Sequence, residues 1–74
     1  MQNYQIKVQA QWRPETLERI LRVVRHRGFV VEQLQMQRHN QQIELTMSVS
    51  SERAISLLTA QLIKLYNVTN VIVE

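Results

Sequence analysis

The two histidines are the only imidazole groups in this sequence, and there is no cysteine. A structural zinc site needs about four nitrogen, sulfur or carboxylate ligands held together, so His26 and His39 would have to converge with further partners. They fall on different predicted elements, and each is interpreted as an ordinary solvated side chain. The sequence therefore predicts no metal site. The absence of thiols also predicts no disulfide and a reducing, cytoplasmic setting.

Catalysis would require a nucleophile beside a base, or two carboxylates with separated pKa values. Glu15 and Glu18 each stand four residues before an arginine, a spacing typical of helix-surface ion pairs. Strand, capping and helix-surface positions account for the serines, at Ser48, Ser50, Ser51 and Ser56. The sequence thus predicts a protein that is not an enzyme by itself and has no catalytic residues.

The basic residues give a formal net charge of +3 and a pI near 10.0, a balance also found in proteins that bind phosphates. RNA-recognition sheets stack bases on aromatic side chains of their open face, and the matching positions here are polar. We therefore expect no nucleic-acid partner, and RNA binding ranks last among the functions considered. An arginine-rich helix face is instead the candidate surface for an acidic protein partner: Arg19, Arg22, Arg25 and His26.

Strict alternation of apolar and polar residues predicts half-buried β-strands. In the second strand the apolar residues change parity, which predicts a bulge near Glu32 or Gln33. A polar turn, residues 38–42, should connect it to the third strand. The four predicted strands are residues 4–12, 29–37, 43–49 and 68–73.

Apolar residues spaced three and four apart predict two helices with one buried stripe each. Pro14 suits the first helical position and Gly28 suits the end of that helix. Ser50 or Ser51 can cap the second helix, which should end at Asn67. The predicted stripes are Leu17, Ile20, Leu21 and Val24 in the first helix and Ala54, Ile55, Leu58, Leu62 and Leu65 in the second.

The order strand, helix, strand, strand, helix, strand predicts an α+β, ferredoxin-like βαββαβ fold. Each helix has one apolar stripe, so both should lie on the same face of a four-stranded antiparallel sheet. The single glycine and single proline indicate one domain, residues 1–74, without a linker. No apolar run approaches the ~20 residues that span a bilayer, so no membrane partner is expected. The open face of the sheet should carry Gln5, Lys7, Gln9, Gln35, Glu44, Thr46 and Ser48.

The stretch LERILRVVRHRGFVVEQL, residues 17–34, is similar to the opening half of an ACT domain. Within it, RGFVVEQL matches the pattern Arg-Gly-aromatic-x-Ile/Val-Glu-x-Leu of acetolactate synthase small subunits. The overlapping stretch PETLERILRVVRHRGF resembles the isozyme II type of that subunit. The later segments IELTMSV and LLTAQLIKLYNVTNVIV also fit, so the resemblance covers nearly the whole chain.

This resemblance implies a non-catalytic regulatory small subunit that binds and activates the large catalytic subunit of acetolactate synthase. That enzyme acts in the biosynthesis of the branched-chain amino acids valine, isoleucine and leucine. Thiamine diphosphate, magnesium and FAD are expected on the catalytic partner, and no cofactor is expected on this chain. The alternative is a free-standing ACT module that senses an amino acid and regulates another enzyme.

The second strand is an edge strand in this topology, and the segment FVVEQLQMQ has no proline or lysine and only one charge. Such an edge is poorly protected against pairing with another strand. ACT modules of the resembled family associate side by side, so we expect a homodimer through edge strands. The expected dimer-edge residues are Phe29, Val31, Gln33, Leu34, Gln35 and Met36.

The turn QWRPETLER, residues 11–19, corresponds to the effector loop of the resembled family. Valine-sensitive relatives have a turn that resembles Asn-x-x-Gly-x-Leu, and alignment through Leu17 places the asparagine at Trp12 and the glycine at Glu15. Trp12 replaces an amide with a donor-only indole, and Glu15 puts a carboxylate where the ligand's carboxylate would approach. Pro14 removes a backbone N–H donor. We therefore expect this loop not to bind valine: Trp12, Arg13, Pro14 and Glu15.

Overall fold

The computed structural model describes all 74 residues, Met1 to Glu74, as four strands and two helices. The strands form one antiparallel sheet in the order β2-β3-β1-β4, which confirms the ferredoxin-like prediction. No helix is both long enough and apolar enough to cross a membrane. The elements are β1 (Gln2–Gln11), α1 (Thr16–His26), β2 (Val30–His39), β3 (Gln42–Ser51), α2 (Ile55–Leu62) and β4 (Val68–Val73).

The core lies between one face of the sheet and the two helices. Strand residues with the predicted inward parity and the two helix stripes meet there, because each element has a single apolar side. The prediction was wrong for Ala54, which is exposed because it precedes α2. Nine core side chains are fully buried: Ile6, Val8, Leu45, Met47 and Val49 on the sheet, and Ile20, Val24, Leu58 and Leu62 on the helices.

Gly28 ends α1 as predicted. It lies immediately after the C-cap residue Arg27 with φ +85°, the left-handed conformation that glycine adopts without strain. The N–H of Gly28 donates to the carbonyl of Arg25 at 3.0 Å, and the N–H of Phe29 donates to that of Val24 at 3.1 Å. This pair of bonds is the Schellman arrangement. It turns the chain from α1 into β2 and buries Phe29 in the core.

The predicted bulge is present in β2, where the register with β3 shifts between Val31 and Gln33. The extra residue, Glu32, turns outward and accepts a hydrogen bond from the Ser50 hydroxyl at 2.8 Å. The polar turn is shorter than predicted. Only residues 40–41 lie outside the two strands, because Asn40 adopts φ +57° and reverses the chain within two residues.

The start and end of α2 differ from the prediction. Ser50 and Ser51 belong to β3, and Ala54 precedes the helix without a side-chain cap. The Ser51 hydroxyl makes other hydrogen bonds. It donates to the Gly28 carbonyl at 2.9 Å and accepts from the Arg53 N–H at 3.0 Å. At the other end the helix stops at Leu62, and tighter turns lead to β4.

Candidate functional site

The loop between β1 and α1 is held against the β2–β3 turn by Trp12. The backbone N–H of Trp12 donates to the backbone carbonyl of Gln41 at 2.7 Å. The guanidinium carbon of Arg38 lies 4.7 Å from the Trp12 ring centre, a cation–π geometry, and Arg38 Nε donates to the Asn40 carbonyl at 3.0 Å. The indole is half-buried and packs against the core. We call this arrangement the Trp12–Arg38 stack.

Residues Arg13 to Thr16 form a turn that starts α1. The Thr16 N–H donates to the Arg13 carbonyl at 3.0 Å, and Glu15 has φ −90° and ψ −5°. These values describe a type I turn with proline at its favoured second position. The prediction of Pro14 as the first helical residue was therefore wrong: the turn uses Pro14, and the helix begins at Thr16.

Glu15 occupies the N-cap position of α1 and makes no side-chain capping hydrogen bond. Its carboxylate lies at the positive end of the helix dipole, where a bound anion would otherwise be stabilised. The expected ion pair between Glu15 and Arg19 is absent, although the Arg19 N–H donates to the Glu15 carbonyl at 3.0 Å. The loop thus presents a negative charge of its own at the start of α1.

β2 is an edge strand, as predicted, and it pairs only with β3. Val31, Leu34 and Met36 lie opposite core residues of β3 and therefore face the helix side. The helices do not cover this side fully, because Leu34 is 38% exposed and Met36 is 39% exposed. Gln33 and Gln35 face the open side of the sheet.

Phe29 does not belong to the exposed edge. It precedes β2 and is 3% exposed in the single chain, so the structure places its side chain in the core and at the base of the neighbouring cleft between α1 and β2. The Schellman turn directs it inward, where its ring lies 6.4 Å from that of Tyr4.

An open groove of about 590 Å³ runs between α1 and the start of β2. Apolar side chains form most of its lining, and charged side chains of α1 form the rest: Leu21, Phe29, Val30, Val31 and Leu34, with Glu18, Arg22 and Arg25. The groove is continuous with the unpaired edge of β2. A second polypeptide could therefore add a strand and cover apolar surface in one contact.

The predicted basic face is exposed along α1 at Arg19, Arg22, Arg25 and His26. Only Arg22 is neutralised within the chain, by Glu18 at 2.8 Å. Arg22 and Arg25 also line the groove, whereas Arg19 lies beside Tyr66 and Asn67 at the other side of the helix. One part of the basic face therefore adjoins the groove beside β2, and the other part adjoins the segment that precedes β4.

Residues 12–71 match the ACT domain family. The chain is 47% identical over 73 residues to the acetolactate synthase isozyme 2 small subunit of Escherichia coli K12, covering 96% of this chain and 84% of that protein. The small subunit of the same name from Shigella flexneri gives the same values. The chain belongs to the ACT-domain small subunits of acetolactate synthase.

Solved structures agree with this family's fold at low sequence identity. The acetolactate synthase small subunit of Thermotoga maritima superposes with a TM-score of 0.83 at 16% identity, over 99% of this chain and 47% of that one. The ACT domain of a GTP pyrophosphokinase from Chlorobium tepidum gives 0.86 at 11% identity, over 97% and 96%. These likenesses establish the backbone arrangement alone.

The sequence analysis did not indicate that the side chains of Thr16 and Asn67 anchor this loop. The Thr16 hydroxyl donates to the Gln11 carbonyl at 3.1 Å and accepts from Asn67 Nδ2 at 3.3 Å. The Gln11 N–H in turn donates to the Asn67 carbonyl at 2.8 Å. No local pattern could have indicated this pairing, because Thr16 and Asn67 are 51 residues apart. The contact ties both ends of the loop to the start of β4.

Proposed function

We propose that this protein is a non-catalytic regulatory subunit that binds the catalytic subunit of acetolactate synthase and favours its active arrangement. The observation that carries the proposal is the 47% identity, over 96% of the chain, to an acetolactate synthase isozyme 2 small subunit. In this proposal thiamine diphosphate, magnesium and FAD are held by the catalytic subunit, which condenses pyruvate with a second 2-ketoacid. This chain supplies binding energy and no chemistry.

Such a subunit raises activity only if it binds the active arrangement more tightly than the inactive one. A preference of ~1.4 kcal/mol shifts that equilibrium tenfold. The same preference must appear as tighter binding of the small subunit under conditions that favour the active enzyme.

Co-purification followed by an acetolactate assay tests this proposal. The chain is mixed with the acetolactate synthase catalytic subunit of the same organism, and acetolactate formation is measured with and without it. We expect a complex in gel filtration and a severalfold rise in turnover. An equal concentration of albumin controls for non-specific stabilisation of a dilute enzyme. A catalytic subunit that forms no complex, or a complex with unchanged turnover, would contradict the proposed activation.

The homodimer is the second part of the proposal. Its support is the unpaired edge of β2 together with the adjoining apolar groove. In a two-fold arrangement the edge strands would pair, and Leu34 of each copy would be covered by the other. Glu18, which is paired with Arg22, and the unpaired Arg25 both line the groove, so both signs of charge are present at its rim.

Light scattering at high micromolar concentration tests the dimer. We expect about twice the 8.8 kDa chain mass for the unmodified chain. Leu34→Lys should shift the population toward the monomer, because it places a charge at the paired edge. Leu57→Lys is the matched control, since Leu57 is 52% exposed on α2 and lies away from β2. An unmodified chain that stays at 8.8 kDa contradicts the proposal.

Valine insensitivity is the third part of the proposal, supported by the geometry of residues 12–15. The Trp12–Arg38 stack fills the position where the sensitive pattern has asparagine, and Glu15 lies at the start of α1. A carboxylate ligand ~4 Å from Glu15 would be repelled by about 4 kcal/mol at an effective dielectric constant of 20. That is comparable with the whole binding free energy of a millimolar ligand, about 4.1 kcal/mol.

Calorimetric titration with valine, isoleucine and leucine tests this insensitivity. We expect no saturable heat from the unmodified chain. The double variant Trp12→Asn/Glu15→Gly restores the sensitive pattern at both positions, and it shows whether the method would detect binding at this loop. Dissociation constants below ~1 mM for the unmodified chain would contradict the proposal.

A further inference from the structure

The outer side of α2 and of the turns that follow it carries large apolar side chains that the rest of the chain leaves about half exposed or more. Leu57 is 52% exposed, Ile63 is 48% exposed and Tyr66 is 87% exposed. The opposite side of the same helix is fully buried through Leu58 and Leu62. The apolar content of this segment therefore exceeds what the core of one chain uses.

These side chains form a strip on the outer surface of the segment that rotates by about 60° for every three residues within α2 and then runs straight from Ile63 to Tyr66. Leu57, Ala60, Ile63 and Tyr66 are spaced by three residues and all are exposed. After Leu62 the backbone hydrogen bonds span three residues, as in Leu65 N–H to Leu62 carbonyl at 3.1 Å. In turns of this kind every third residue lies on the same side. We call these four residues the α2 ridge.

The charges within the α2 ridge segment and beside Tyr66 are positive, whereas Glu52 lies before the start of α2. No aspartate or glutamate occurs between Arg53 and Glu74, so Lys64 is the only charged residue within the segment itself. Arg19 of α1 adjoins the ridge, because it lines a small cavity together with Tyr66. Neither Lys64 nor Arg19 has a carboxylate within 4.0 Å. The surface is apolar along its centre and positive at its margin.

The α2 ridge is also separate from the proposed dimer contact. α1 packs beside β2, whereas α2 packs beside β4 at the opposite edge of the sheet. Pairing through β2 covers the groove, with Arg22 and Arg25, and leaves the ridge of each copy facing outward. A dimer would therefore present two equivalent ridges.

We propose that the α2 ridge, with Arg19 at its margin, is the surface that contacts the acetolactate synthase catalytic subunit, and that it fits an apolar patch rimmed by carboxylates. This inference rests on the proposed regulatory function. Tyrosine and arginine are enriched among residues that dominate binding energy, and burial of the exposed apolar side chains favours association. The two outward ridges predict one catalytic subunit for each small subunit.

The experiment compares single variants of the full-length chain for binding to the catalytic subunit. We expect Leu57→Glu and Tyr66→Ala each to weaken the affinity at least tenfold. Ile72→Glu is the matched control, because Ile72 is 41% exposed on β4 and faces the open side of the sheet beside Lys7. Its affinity should stay within about threefold of the unmodified chain. Circular dichroism and light scattering verify that each variant keeps its fold and dimer.

Charge is tested separately with Arg19→Glu. We expect slower association and a weaker dependence of the association rate on salt concentration. A charge at the rim of an interface changes mainly the rate at which the two proteins encounter each other. Arg27→Glu, at the exposed C-cap of α1, is the control for the same charge reversal elsewhere on this element. If both variants slow association equally, the specific place of Arg19 in the contact is refuted.

The outcomes separate this inference from the function on which it rests. If the unmodified chain does not bind the catalytic subunit, the proposed function is wrong. If the unmodified chain binds and neither Leu57→Glu nor Tyr66→Ala changes the affinity, only the assignment of the α2 ridge as the contact surface is wrong. A third outcome is that the unmodified chain binds anionic phospholipid vesicles, and that Leu57→Glu and Tyr66→Ala abolish this vesicle binding but not binding to the catalytic subunit. That outcome would assign the ridge to a membrane surface and would also overturn the inference.

Discussion

Replacing Gly28 with alanine should destabilise the fold by about 1–2 kcal/mol. Gly28 has φ +85°, and a residue with a Cβ loses about that much in the left-handed region. The added Cβ would also lie 2.8 Å from Nε and 3.1 Å from Cδ of Arg53. Because Arg53 is exposed and flexible, it can move aside, so the backbone conformation should account for most of the loss.

Urea unfolding followed by circular dichroism measures this change, with all variants compared at one protein concentration so that self-association contributes equally. Gly28→Asn is the first control. It places the same Cβ beside Arg53, but asparagine tolerates the left-handed region better, so it should lose less stability than Gly28→Ala. The second control repeats Gly28→Ala in an Arg53→Ala background.

Two results would refute this reasoning. A Gly28→Ala variant within about 0.3 kcal/mol of the unmodified chain would mean that the left-handed conformation carries no measurable cost. A loss that disappears in the Arg53→Ala background would assign the effect to the steric contact and not to the backbone.

Further predictions concern the core and the loop. Leu62→Ala should cost about 2–5 kcal/mol in urea unfolding, whereas Leu57→Ala, on the exposed side of the same helix, should change stability by less than about 0.5 kcal/mol; equal losses would contradict the assigned helix faces. A double-mutant cycle of Trp12→Ala and Arg38→Ala should give a coupling of about 0.5–1 kcal/mol, and additive effects would show that the stack contributes nothing. Thr16→Val should destabilise by about 1–3 kcal/mol because the amide of the buried Asn67 loses its acceptor, with Thr16→Ser, which keeps the hydroxyl, as the control.

Much of the fold could be predicted because its signals are local. The alternation in β1 and β3, and the stripes that include Ile20 and Leu58, depend only on residue spacing within one element. Gly28 and the bulge beside Glu32 were also predictable, since each is marked by a residue type or a change of parity at that point. The edge position of β2 then followed from the order of elements.

One error arose where a polar group found a distant partner, and another where one residue type suits two local structures. Ser51 has the residue type of a helix cap, but its hydroxyl bonds to the Gly28 carbonyl, 23 residues away. Pro14 suits the first helical position and equally suits the second position of a type I turn. The hydrogen bond from Thr16 to Arg13 uses the second option. Residue type alone could not separate these alternatives.

The sequence by itself determined which side of each strand and helix faces the core, because that choice depends on the spacing of apolar residues within one element. Only the tertiary structure decided which side chains meet across elements, as in the Trp12–Arg38 stack and the contact between Thr16 and Asn67. These contacts depend on the strand register and on the turns that fix it. The groove beside β2 and the exposed α2 ridge have the same origin, since a sequence pattern marks a surface as apolar but cannot specify how much of it neighbouring elements cover.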